Sequence, residues 1–314
     1  MYKNFYWLLL FAALLFGCNN VVDVQEPDTE VVVPESAIAA IKASYPDAGQ
    51  FVFKTLIKEK LWKAKFSSQA NSFETHVSPA AISGAVFRNS ADGSLYKGLT
   101  DKLQISGGTL FNVQLIEMAT DSAARMQYIV NGRPHLLNYY EFNDWHIVKL
   151  AAPYPVESYT VGLSDVPEKI VSFCQQANID LDSSQIIINE DQASKKTYII
   201  HPQAALFPIF FDEAGNLKWI AQNSDGTSLV NGPNDKIGSA GLFEKIKADY
   251  ADYNVYNTLA FEAKYEDLNS IRYVFQRKSG AEGTRDFISE TQEIFVNANS
   301  GEVIFEQYSS YVFK

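Results

Sequence analysis

The side chains able to do acid–base, metal or nucleophilic chemistry are few and scattered along the chain. The four histidines are His76, His135, His146 and His201. No two of them fall at the His-x-x-x-His or Cys-paired spacing that builds a zinc site from one element. Of the two cysteines, Cys174 lies on an apolar stripe with no neighbouring His or cation to lower its pKa, so it reads as a small core residue and not a nucleophile. Glu290 and Glu293 invite comparison with a glycosidase acid pair, but among 37 acidic residues such proximity says little. No Gly-x-Ser-x-Gly elbow offers a hydrolase serine, and Ser106-Gly107-Gly108 lacks the Lys of a phosphate loop. The turns "NSADGS", "NSDGTS" and "NANSGE" lack the alternating acids and closing Glu of a calcium loop. These residues imply no enzyme, no metal and no cofactor.

Binding chemistry has one candidate stretch, "NYYEFNDWH" at 138–146. In a strand Tyr140 and Phe142 share one face, while Tyr139 and Glu141 share the other. One face is expected to be core, and the other, with Trp145 at the turn, to offer an aromatic platform for a sugar or a protein. The plainer reading is a set of ordinary cross-strand aromatic pairs.

The elements that would carry these residues repeat. "AVFRNSADGSLYKG" (85–98) and "EIFVNANSGEVIFE" (293–306) both place Phe two before Asn, Gly four after it and an aliphatic residue two further on. A third copy, "PIFFDEAGNLKWIA" (208–221), has a turn one residue shorter. Apolar alternation around Asn/Asp and Gly marks a β-hairpin, with Gly93, Gly215 and Gly301 at positions needing φ > 0. Helices precede the hairpins. "IKASYPD" (41–47) and "IKADYAD" (246–252) close amphipathic helices with Ile38, Ile41 and Tyr45, and Phe243, Ile246 and Tyr250, on their apolar faces, Ser239 being the N-cap of the second. "SDVPEKIVSFCQQANI" opens with Asp165 three before Glu168, near a capping box, and lines up Ile170, Phe173, Cys174 and Ala177. Residues 99–150 alternate as strands, with "LTDKLQIS" as a vestigial helix. The spacing predicts an α+β protein of tandem units, each one helix on an antiparallel sheet of about four strands. Their bounds are 34–98, 99–150 (a strand-rich, degenerate unit), 164–222 and 236–314. "AAPYPVESYTVG" and "SDGTSLVNGPNDKIGS" read as linkers.

The N-terminus predicts location. Lys3 precedes an apolar run of ten, Trp7 to Phe16, too short for a membrane span but right for a signal-peptide core. "LLFGC" followed by Asn19-Asn20 resembles the lipobox of bacterial lipoproteins. That resemblance implies a signal peptide over 1–17 and lipid attachment at Cys18. Residues 18–33, with Asp23, Glu26, Asp28 and Glu30, read as an acidic tether. Acidic residues behind the lipidated Cys resemble the surface-export signals of Bacteroidota lipoproteins. An outer-membrane lipoprotein is expected, on either the periplasmic or the surface face. The net charge of −11 argues against nucleic acid as a partner. With Cys18 lipidated, Cys174 is the only thiol and no intrachain disulfide can form.

The helix-then-hairpin plan resembles the PepSY and PepSY-like domains, the latter similar to β-lactamase inhibitor protein. Tyr45-Pro46-Asp47-Ala48 matches their "YP-x-A" motif, and "IFVNANSGEVI" (294–304) and "IFFDEAGNL" (209–217) match their closing hairpin. Asn297 stands where the family usually has Asp, and Ala251 where the first unit has Pro46. The resemblance implies non-catalytic binding or inhibition in the cell envelope, with a secreted hydrolase as one partner class. The alternative is a carbohydrate-binding accessory lipoprotein of the outer membrane, its ligand a glycan.

Overall fold

The computed structural model describes residues 35–89, 109–116, 122–130, 132–142, 145–203, 207–221, 241–248, 253, 255–262, 269–280 and 288–313. Cys18, the expected signal peptide and tether, Gly93, the 99–106 segment, Ser239 and Tyr250 all lie outside them.

The described chain is dominated by antiparallel strands. In order, β1 is Gly49–Ile57, β2 Leu61–Ser68, β3 Asn71–Val77, β4 Phe87–Asn89, β5 Thr109–Ile116, β6 Ser122–Val130, β7 Arg133–Glu141 and β8 Trp145–Ala152. Then β9 is Glu157–Val161, β10 Gln185–Glu190, β11 Lys196–His201, β12 Ile209–Phe211 and β13 Leu217–Trp219. Finally β14 is Val255–Glu262, β15 Asn269–Ser279, β16 Ile288–Asn297 and β17 Glu302–Phe313. Twelve strands form one sheet in the order β1-β2-β3-β4-β5-β6-β7-β8-β17-β16-β15-β14, and five form another, β13-β12-β11-β10-β9. Three α-helices occur among the described residues: α1, Glu35–Ser44; α2, Glu168–Gln176; and α3, Leu242–Ala248. None is long and apolar enough to cross a membrane.

This overturns the α+β plan of one helix on each four-stranded sheet. The physical reason is that the strand ladders run through the expected boundaries. Phe87, Arg88 and Asn89 pair with β3 on one side and with Ile116, Leu115 and Gln114 of β5 on the other. Both edges of β4 are therefore taken, by β3 and β5, while the second arm of the expected first hairpin lies outside the described residues. Further on, β8 pairs with β17 from Trp145↔Phe313 to Ala152↔Glu306. Local hairpin patterns fix nearest neighbours, but an open edge will accept any strand with matching backbone groups. The stretch 157–161, read as part of a linker, is β9.

The two sheets have distinct cores. Tyr159, Ile186, Ile188, Ile200, Phe211 and Leu217 of the small sheet bury against Ile170 and Cys174 of α2, and Leu56 and Leu61 of the large sheet join that cluster. The helical stripe thus packs as its spacing requires, with Ile170 and Cys174 fully buried. Asp165 does not cap α2. Pro167 takes that position, and the Asp165 carboxylate accepts a bond from Lys60 Nζ at 2.6 Å. The alternate residues of the small sheet, Ile199, Phe210 and Trp219, face the other way and pack on Phe295, with Ile304 and Phe305 alongside. On the large sheet, α1 brings Tyr45 onto Phe66 and Phe73, ring centroids 5.2 Å from each, and α3 lays Leu242 and Ile246 on Ile271, Tyr273 and Ile294.

Candidate functional site: a charged cleft between the sheets

Register decides which side chains meet. In the β2–β3 hairpin Lys65 stands opposite Glu74 and Lys63 opposite His76. The ladder continues Glu74↔Phe87, Asn89↔Gln114 and Gln114↔Arg125, so period-two alternation puts all of these on one face of the large sheet. The opposite face of the same hairpin holds buried Trp62, Ala64, Phe66 and Phe73. A β-bulge between Phe111 and Gln114, with Asn112 at φ +50°, turns Asn112 toward the same side. Asn tolerates this left-handed conformation, and bulges commonly re-aim side chains in this way. The chain leaving β8 then passes over this face, adding Tyr154, Val156 and Glu157. Together they enclose a cleft of about 580 Å³.

Its polar groups are tightly matched at one end. Lys63 Nζ donates to Glu157 Oε1 at 2.7 Å and lies 2.9 Å from Glu74 Oε1, and Lys65 Nζ is 3.6 Å from Glu74 Oε2. His76 Nε2 lies 3.9 Å from Glu157 Oε2. The Lys63, Glu74 and Glu157 side chains are 14, 15 and 7% exposed, so these charges interact with little screening. Burial alone pulls the Lys63 ammonium down, but Glu157 and Glu74 outweigh it and hold it above the ordinary lysine range. Burial likewise pushes Glu157 up, and its bonds from His76 and Lys63 more than reverse this, leaving it below the usual carboxylate range. Both groups are therefore held in their charged forms. At the other end Arg125 lies over the Phe87 ring, its Cζ 5.3 Å from the centroid, while Gln114 Nε2 donates to Asn89 Oδ1 at 3.1 Å. Burial is the main cause raising the Tyr154 phenol, which keeps its hydroxyl a donor.

Of the candidate catalytic or ligating residues the sequence singled out, His76 lines this cleft, together with Phe87 and Asn89 of the first repeated motif. His135 lies on β7 with Nδ1 2.9 Å from the Arg133 carbonyl, His146 is on β8, and His201 ends β11 at the surface. Glu290 and Glu293 are three apart on one strand and point to opposite faces. Glu290 accepts from Arg277 and from the Tyr308 hydroxyl at 2.8 Å, and Glu293 accepts from Arg272 and Gln307. In the aromatic stretch Tyr139 is buried with Leu137 and Val148, whereas Tyr140 and Phe142 are half-buried. Cys174 is fully buried, and desolvation pushes its thiol up to about 12. Among the described residues, no group of three or more His, Cys, Asp or Glu is placed to hold a metal ion.

Sequence reasoning missed Lys63, Glu74, Glu157 and Arg125. A signal existed in "LWKAKF" and "SFETHV", where two cations and an acid–His pair alternate on facing arms of one hairpin. Oppositely charged residues across a short turn predict cross-strand pairing. Nothing local links them to Glu157, which lies on another sheet. Comparison with protein-family models, curated proteins and solved structures finds no match to this chain.

Proposed function

We propose that this chain is a non-catalytic binding protein of the cell envelope, held at the membrane by lipid on Cys18, with a glycan as the ligand of the inter-sheet cleft. The observation that carries this reading is the lining of the cleft. Donors and acceptors alternate there (Lys63, Glu74, Asn89, Asn112, Gln114, Tyr154, Glu157) beside the rings of Phe87 and Tyr154. Sugar hydroxyls both donate and accept, and a wall of mixed amides, carboxylates and ammonium groups matches them. A glycan fits this concave polar surface better than a secreted hydrolase does, since protein partners are usually gripped through aromatic and apolar anchors. The pairing of Lys63, Glu74 and Glu157 also supports a binding role, because a general acid or base works best with a pKa near the operating pH.

The full chain, tested against a polysaccharide array, is expected to bind a narrow set of glycans and to fractionate with membranes. Cys18→Ser is expected to release it to the soluble fraction. Recovery of one secreted hydrolase from envelope extracts, with no glycan bound on the array, would replace the sugar reading by the inhibitory one. Membrane association that survives Cys18→Ser would remove the lipid anchor.

A further inference from the structure

The cations of the cleft are not equivalent. Lys63 contacts two carboxylates and Lys65 one. Arg125 has a ring beneath it and, among the described residues, no carboxylate within ion-pairing distance. On a chain of net charge −11, a half-buried guanidinium with no carboxylate partner among the described residues, opening into a cleft, is a local attraction for an anion. The guanidinium rests over the Phe87 ring, and its planar fork of N–H donors suits a planar, two-oxygen acceptor. A few ångströms along the ladder stand Asn89 and Gln114, which suit hydroxyls, and at the far end the Lys63 cluster presents carboxylate oxygens.

We infer that the cleft selects an acidic sugar, a uronate residue within an oligosaccharide, whose carboxylate lies on Arg125 and whose hydroxyls face the amides and acids beside it. This rests on the glycan reading above and adds the charge of the ligand. The two acids in the cleft set the upper limit on that charge. An acidic peptide or a polyphosphate would bring several charges against Glu74 and Glu157, while a uronate brings one per ring with neutral hydroxyls around it. The volume of about 580 Å³ lies within the range of roughly 300–1,000 Å³ typical of small-ligand sites.

The test is calorimetric titration of the detergent-solubilised full chain with three probes of equal length: trigalacturonate, galactotriose and triglutamate. Trigalacturonate is expected to bind at least tenfold more tightly than galactotriose, as a charge-assisted bidentate pair should. That advantage should shrink as salt is added. Arg125→Gln should bring trigalacturonate down to the affinity of galactotriose, and Arg125→Lys, which keeps the charge but not the fork, should recover only part of it. Equal binding of the two sugars overturns the uronate assignment and leaves the glycan reading standing. Triglutamate binding as tightly as trigalacturonate overturns it in favour of an acidic peptide. Binding of neither sugar removes both the inference and the reading it rests on. Should Arg125→Gln fail to fold, the wild-type ratio of the two sugars and its salt dependence decide alone.

Discussion

Lys63 and Glu157 join residues 94 positions apart and tie two sheets together through one ion pair. Its contribution to stability has a definite pH window. Glu157 titrates lower in the folded chain than its ordinary value of 4.5, so its share is fully present above that pH and is lost as pH falls through the lower, folded value. Lys63 titrates higher than its ordinary 10.5, so its share is present below that pH and is lost as pH rises through the higher one. Between these limits the pair is constant. Glu157→Gln should cost about 1.5–3 kcal/mol at pH 7, the scale of a charge-assisted hydrogen bond, and that cost should shrink as pH falls below 4.5 and the wild-type carboxylate takes up its proton. Urea unfolding of both proteins across pH 3–8 measures it. A difference that stays the same at both ends would mean the carboxylate is not paired in solution.

At the scale of elements, two glycine turns can be ranked against each other. Gly215 and Gly301 have φ of +75° and +73° and close corresponding turns, each donating its N–H to the carbonyl of Asp212 or Asn297. Their surroundings differ. A Cβ at Gly301 would meet only Leu242 Cδ1 at 3.8 Å, whereas one at Gly215 would lie 3.2 Å from Lys169 Cβ and 3.3 Å from Ile170 Cγ1 of α2. Gly301→Ala should therefore cost about 1–2 kcal/mol, the left-handed penalty alone. Gly215→Ala should cost roughly 2–4 kcal/mol, because overpacking against the helix is added. Chemical denaturation gives the totals, and hydrogen exchange should show α2 amides loosened only by the Gly215 change. Equal costs would mean that α2 gives way freely.

These turns also show what was legible in the sequence. Both were readable because a hairpin is written within about fourteen residues, and α2 was readable because Ile170 and Cys174 recur at helical spacing. The pairing of β8 with β17 was not, because backbone hydrogen bonds carry no side-chain code and the two strands lie about 160 residues apart. The site failed for the same reason. Lys63, Arg125 and Glu157 each look like a surface charge until the register and the sheet-on-sheet packing are known.

The whole molecule is held together where the two sheets share side chains, and Trp219 is the centre of that contact. Its ring is 4.9 Å from Phe295 in an edge-on arrangement and 6.3 Å from Phe210. Its Nε1 donates to the Ile271 carbonyl at 3.1 Å, and the side chain is fully buried. Ile220 N adds a second polar tie to Ser270 Oγ at 3.2 Å. Removing a buried aromatic of this size costs about 3–5 kcal/mol, and Trp219→Ala would also remove the indole hydrogen bond to the Ile271 carbonyl. Because the lost contacts belong to both sheets, the loss should fall on both. Hydrogen-exchange protection should drop together in β11 and β12 of the small sheet and in β15 and β16 of the large one. The wild type should unfold in a single transition reported alike by fluorescence and far-ultraviolet dichroism. Tandem units that touch only their neighbours would behave differently, melting separately and confining the damage near Trp219. Two resolved transitions in the wild type, or a Trp219→Ala protein whose β15–β16 amides keep their protection, would show that the sheets are stabilised independently and that the inter-sheet cleft lacks a fixed geometry.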